Sequence, residues 1–398
     1  MIAIILGGAT GYSFGDRALC LKPFGTIFLN LIFTSIVPLI FFSVSSAIAR
    51  VGTKRKLGKI FSSMAAVFIV TGFIAASFTL LIVKRFPPAE GVSIQLPLSE
   101  QTTSPHFLDQ LSGIVTVSDF SNLFSHQHML ALIVFSILVG LATTAVNPSQ
   151  KTIFTEFLQA GEAIFMRVFS LIMLYAPIGF FAYFAVLVAE LGPKLIESYV
   201  RVTIIYYVGG ILYFIIAYTG YAYLASNQYG IRLFWRNVFL PVVTSLATCS
   251  SAACIPANLA ATKAMRVPPE IYETAIPLGT ILHKEGSIMG GMIKIAFLFG
   301  MFHLDFSSAS VLLTAVGVSI LVGTVMGAIP SGGMLGELLI LSVYGFPASA
   351  LIAIAAISII IDPLATMLNV TGNSVSSMLI ARLAGIYPSN IPLSTNSA

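Results

Sequence analysis

The residues whose types and spacing could do chemistry are concentrated in Ser358 to Asn373, SIIIDPLATMLNVTGN. Ser358, Asp362, Thr366, Asn369 and Asn373 follow one another at intervals of 4, 4, 3 and 4. At about 100° per residue they share one narrow stripe of a helix. The stripe lies in an apolar run from near Ala348 to Arg382, long enough to cross a bilayer. Asp362 falls close to its middle, where an ionised carboxylate costs roughly 2.5–3.5 kcal/mol on insertion scales. Such a stripe does not face lipid. A single Ser, Thr or Asn commonly bonds one helix to another across a membrane interface. Five on one face, with a carboxylate at the midplane, point instead to a binding site.

The whole chain sets the setting for that site. Its 398 residues are 57% hydrophobic and only 9% charged, with a net charge of +5 and a mean hydropathy of +0.96. Soluble domains carry about 25% charged residues, so the composition is that of an integral, all-α membrane protein. Nucleic acid is not an expected partner, because the basic residues gather at the ends of apolar segments rather than in one patch. Cys20, Cys249 and Cys254 have neither metal spacing nor a disulfide framework, and no cofactor is implied. No secretory signal is evident.

Residues 1–14 are apolar but too short to span alone, so the first helix reads as cut short. Phe24 to Ile48 spans and leads to Arg50, Lys54, Arg55, Lys56 and Lys59, which the positive-inside rule places in the cytoplasm. Phe61 to Val83 crosses outward. From Phe86 to Pro148 there is no Lys or Arg, so a loop near 86–125 is expected outside. Met129 to Val146 returns to Lys151, and a long stretch from Phe154 to Leu191 is interrupted at Pro177. Arg167 within it reads as a snorkelling or interhelical charge near the inner face. Val202 to Ala225 crosses back, and Arg232, Arg236, Lys263 and Arg266 are again consistent with a cytoplasmic side.

After residue 230 the pattern changes. Val238 to Ala264 is broken by the small and polar residues 248–256, and Val311 to Ala350 by Gly327-Ala328-Ile329-Pro330-Ser331-Gly332-Gly333. Each half is too short to span at about 1.5 Å per residue. Both stretches read as re-entrant hairpins whose tips meet inside the membrane, where non-helical backbone is tolerated only if it lines an enclosed cavity. Each precedes a helix with a polar interruption, at residues 283–287 and at 369–373. Two such units in succession suggest an internal repeat, a mark of secondary transporters.

These segments resemble the dicarboxylate/amino acid:cation symporter family, the glutamate transporter family, over nearly the whole chain. LKPFGTIFLNLIFTSIVPLIFFSV is similar to the family's second helix and LYAPIGFFAYFA to its fifth. CSSAACIP and GAIPSGG stand at its hairpin tips, IPLGTILHKEGS at its seventh helix and DPLATMLNVTGN at its eighth. The resemblance implies eight transmembrane helices, two re-entrant hairpins and a homotrimer in the lipid of the cytoplasmic (inner) membrane. Residues 1–230 would be mainly scaffold and trimerisation helices, part of which also supports the transport domain. Residues 231–385 would form the core of that mobile domain, which carries substrate in an elevator motion. Residues 386–398 would be a cytoplasmic tail.

The resemblance also implies site residues. Asp362 matches the aspartate that binds the substrate ammonium in amino-acid carriers, Asn369 the asparagine on the α-carboxylate, and Thr366 the adjacent threonine. Ser250 and Ser251 match the first-hairpin serines, and Ile329, Pro330 and Ser331 the second tip. A buried anion facing an ammonium, with neutral donors facing a carboxylate, makes a sound amino-acid clamp. Three departures matter. Ala365 stands where acidic-substrate members have an arginine, so an anionic side chain would be left unpaired. The Asn-Met-Asp-Gly-Thr sodium motif is here His283-Lys284-Glu285-Gly286-Ser287. Ser358 and Asn373 replace aspartates of sodium-coupled members. Lys284, paired with Glu285, Glu337 or Asp362, could then act as a resident cation. Otherwise Lys284 snorkels to a surface.

The expected function is therefore secondary active or facilitative transport of a neutral amino acid, without sodium coupling. Asn373 is also the residue of the dicarboxylate branch, so a carrier of dicarboxylates or other small organic anions is the alternative, with proton coupling through His283 or Glu285 open. A membrane hydrolase using Ser250 or Cys249 with His283 and Glu285 has the right residue types. On a continuous helix, however, His283 and Glu285 diverge by about 200°, so an enzyme is not expected. Cys249 and Cys254 read as small packing residues.

Overall fold

The computed structural model describes residues 2–50, 58–89, 116–125, 128–191, 193–325, 333–347 and 350–386, and among these it is helical without a strand. The first half runs α1 (Ile2–Phe14), a 3-10 turn at Gly15–Leu21, α2 (Lys22–Arg50), α3 (Gly58–Arg85), the single turn α4 (Phe120–Leu123), α5 (Met129–Ala145), α6 (Pro148–Leu191) and α7 (Pro193–Asn237). Most of the loop expected outside, and the tail beyond Ile386, lie outside the described residues. The long α6 bends by 51° between Ile172 and Leu174. Pro177 explains the position, because its ring meets the carbonyl four residues earlier. In α7, Ser226 and Asn227 leave helical geometry, Asn227 with φ 51°, which separates the spanning part from the basic end near Arg232 and Arg236.

The second half is built from shorter pieces. Helices α8 (Phe239–Thr248) and α9 (Ile255–Ala264) have ten residues each, about 15 Å, or half of a bilayer's apolar thickness. They pack on one another through a tip at 249–254, where Cys249 turns the chain in the left-handed region with φ 48°. Then come α10 (Pro269–Leu282), α11 (Glu285–Met301), α12 (Ala309–Val325), α13 (Gly333–Tyr344) and α14 (Ala350–Leu383). Helices α12 and α13 also pack together, but the expected second tip, with Ile329, Pro330 and Ser331, lies outside the described residues.

Three described helices are long and apolar enough to cross a membrane, or four if bent α6 counts as one span. Their burial separates them. The apolar window of α14 is 72% buried, against 39% in α3 and 33% in α7. So α14 is the axis around which α3, α7, α8, α10, α11 and α13 pack, while α1, α2, α5 and α6 pack chiefly with one another. Helix α3 therefore joins the second half rather than the first. One expectation is corrected: α14 is a single unbroken helix, and residues 369–373 do not interrupt it. Asn369 and Asn373 find partners outside the helix, and Thr371 donates to the Met367 carbonyl of its own helix.

Candidate substrate-binding site

The chain leaves helical geometry between α10 and α11, where His283 (φ −129°, ψ 107°) and Lys284 (φ −140°, ψ 81°) are extended. The break is held by side chains. His283 stacks on Phe68 of α3 with centroids 4.3 Å apart and planes 8° apart. Its Nε2 shares a hydrogen bond with the Thr71 hydroxyl at 2.8 Å, and its Nδ1 is 3.0 Å from Asn373 Oδ1 on α14. The extended pair also corrects the expected divergence of His283 and Glu285. Unwinding brings Nε2 to 3.2 Å from Glu285 Oε1.

Glu285 is fully buried at the first turn of α11. Neither of its oxygens accepts an aligned hydrogen bond from a described residue. Tyr213, Tyr218 and Tyr221 of α7 all lie within electrostatic reach of it. The Tyr218 hydroxyl donates to the Leu368 carbonyl at 2.7 Å, and Tyr213 and Tyr221 bond each other at 2.9 Å. A side chain at Gly372 would meet the Tyr218 hydroxyl at 2.6 Å, so glycine is what admits that ring against α14.

The five stripe residues all lie on α14 but face different partners. Ser358 donates to Glu337 Oε1 of α13 and accepts from Lys294 of α11. Asn369 is tied twice to Ser287, accepting its N–H at 3.2 Å and donating Nδ2 to its hydroxyl at 3.1 Å. Asn373 meets His283. That leaves Asp362 and Thr366. Asp362 is exposed, and among the described residues its one hydrogen bond comes from the Thr366 hydroxyl at 3.4 Å. Opposite it stand Lys284, Tyr206, Tyr207 and Cys249 of the first tip, all within electrostatic reach.

Other expected site residues are placed as follows. Ser250 and Ser251 are half-buried at the tip, and Ser250 is engaged locally: its N–H donates to Thr248 Oγ1 and its hydroxyl accepts from Ala253 N–H, each at 3.3 Å. Ala365 is 6% exposed, and its backbone lies against Gly286. Lys284 is also buried, so it does not reach a surface, and no described residue lies within ion-pair distance of it. Glu337 pairs not with Lys284 but with Lys294, Nζ to Oε1 at 3.1 Å. Lys294 was absent from the sequence reading, although a lysine inside the apolar run of α11 is itself a signal. Thr71, Tyr206 and Tyr207 were missed too. Tyr206 donates to the Gly286 carbonyl at 2.9 Å and Tyr207 to the Ile360 carbonyl at 3.1 Å, next to the donor that Pro363 removes from α14. Arg167 is exposed on α6. No group of three or more His, Cys, Asp or Glu side chains among the described residues could hold a metal ion.

The profile of the sodium:dicarboxylate symporter family matches residues 1–383. The chain belongs to that family. It is 27% identical over 97% of its length, and 94% of the relative's, to the "Proton/sodium-glutamate symport protein" of Bacillus caldotenax. It is 22% identical over 100% of its length and 97% of the relative's to the "Proton/glutamate-aspartate symporter" of Bacillus subtilis (strain 168). A third relative, the "C4-dicarboxylate transport protein" of Anaeromyxobacter sp. (strain K), is 22% identical over 97% of the chain and 89% of the relative's length. Family membership makes this chain a multi-pass membrane transporter of small molecules and not an enzyme.

Proposed function

We propose that this symporter-family chain carries a neutral amino acid across the cytoplasmic membrane, as a homotrimer working by an elevator motion and without sodium coupling. The observation that carries the substrate assignment is Asp362, an open carboxylate on the most buried of the three candidate spans, within electrostatic reach of Cys249 at the first tip and with only a weak bond from Thr366. An anion so placed favours a cationic ligand group, and the ammonium of an amino acid is one. Without a cation at Ala365, a second carboxylate on the ligand would go unpaired. Engagement of Asn373 by His283 and of Ser358 by Lys294 supports sodium independence, because both oxygens already have partners.

The buried ammonium of Lys284 favours a second reading, a carrier of dicarboxylates or related organic anions, since no described residue pairs with it. A thermal-shift screen of purified protein against neutral amino acids, glutamate and succinate, in sodium and in choline, separates the two. A ligand at a hundredfold excess over Kd adds about 2.7 kcal/mol to stability. Protection by a neutral amino acid in choline is expected. Protection by succinate alone would replace the first reading with the second.

A further inference from the structure

Lys294 and Glu337 are 1% and 0% exposed. The Lys294 ammonium donates to Glu337 Oε1 at 3.1 Å and to the Ser358 hydroxyl, and Ser358 in turn donates to the same Glu337 oxygen. The three groups come from α11, α13 and α14, so one ammonium ties three helices together. Glu337 Oε2 is buried and accepts from no described residue. A fully buried carboxylate needs a cation beside it, and taking that cation away leaves an uncompensated charge. The oxygens around the ammonium are a carboxylate and a hydroxyl, hard donors of the kind that hold small monovalent ions as readily as an ammonium group. Ser358 is half-buried and lies one helical turn from exposed Asp362, which gives the cluster a side facing the open part of the site.

We propose that Lys294 is a built-in cation: its ammonium occupies a latent monovalent-cation site formed by Glu337 and Ser358, and it docks α13 on α11 and α14 without an added ion. The proposal concerns the docking of α13 and is independent of which substrate is carried. A lysine in that position replaces an ion that would come and go with one that is covalently attached. Removing its side chain should convert a cation-independent helix contact into a cation-dependent one.

The test uses purified full-length protein in detergent with choline as the only added cation. The readouts are the thermal unfolding midpoint and hydrogen exchange of the Gly333–Tyr344 amides. Lys294→Ala opens space where the ammonium was, and its exchange in α13 should rise at least tenfold over the parent. Sodium, potassium, ammonium or propylammonium should reverse this saturably, and the parent should not respond. Lys294→Met fills the space without charge, so it should loosen α13 with no cation rescue. Lys294→Ala/Glu337→Gln should abolish the response to cations. Recovery of folded Lys294→Ala only from media containing a small cation would also support the site. Parent-like exchange in both single variants, equal recovery with choline, a cation response that survives Glu337→Gln, or no folded Lys294→Ala in any cation would overturn it.

Discussion

Replacing Gly286 by alanine tests how closely α11 and α14 must approach for the site to exist. A Cβ at 286 would lie 2.4 Å from the Ala365 carbonyl oxygen, 2.8 Å from its Cα and 2.9 Å from its carbonyl carbon. All three are backbone atoms of a buried helix, so no side chain can swing aside. Restoring ordinary contact requires the helices to part by about 1 Å. That shift would stretch both Ser287–Asn369 hydrogen bonds, now 3.2 and 3.1 Å, beyond useful length. Two lost hydrogen bonds cost about 0.5–1.5 kcal/mol each, and overpacking adds about 1–3 kcal/mol. Alanine returns up to about 1 kcal/mol through its better helix propensity, so a net loss of about 1–6 kcal/mol is expected. Gly317→Ala in α12 is the control, because a Cβ there meets nothing within 4 Å. Reversible unfolding in mixed micelles measures both. A Gly286→Ala protein within about 0.5 kcal/mol of the control would refute the close approach.

Three further outcomes follow from contacts in the same region. Asn258 donates to the Val370 carbonyl at 2.9 Å and accepts from Ser374, so Asn258→Ala should cost about 1–3 kcal/mol in the same unfolding assay by freeing α9 from α14. His283→Ala removes the Phe68 stack and the contacts to Thr71 and Asn373, and a loss of about 2–4 kcal/mol is expected. Tyr218→Phe removes only the hydroxyl that caps the Leu368 carbonyl and should cost about 1 kcal/mol with the thermal transition otherwise unchanged.

Hydropathy and proline placement made the helical character and the α6 bend legible, because both follow from local rules. The break at His283–Lys284 was legible as a polar interruption, while the similar-looking run Asn369 to Asn373 is continuous helix. Local sequence does not distinguish them, because what differs is the partner across the interface. The stripe on α14 shows the same limit. Its period put five polar residues on α14, yet Ser358, Asn369 and Asn373 tie that helix to others, and of the five only Asp362 is exposed. Pairing of Glu337 with Lys294 rather than Lys284 depends on how α13 packs against α11, a long-range contact that no spacing rule encodes.

Uptake of a neutral amino acid into proteoliposomes, with sodium replaced by choline at fixed pH, tests the central assignment most directly when parent and Asp362→Asn are compared. The asparagine keeps the shape but loses the charge that would hold the ammonium, and binding should weaken by roughly 2–5 kcal/mol. The account predicts uptake by the parent that persists in choline and is lost in Asp362→Asn. Undiminished neutral amino-acid uptake by the variant, or parent uptake that rises steeply with sodium, would contradict it.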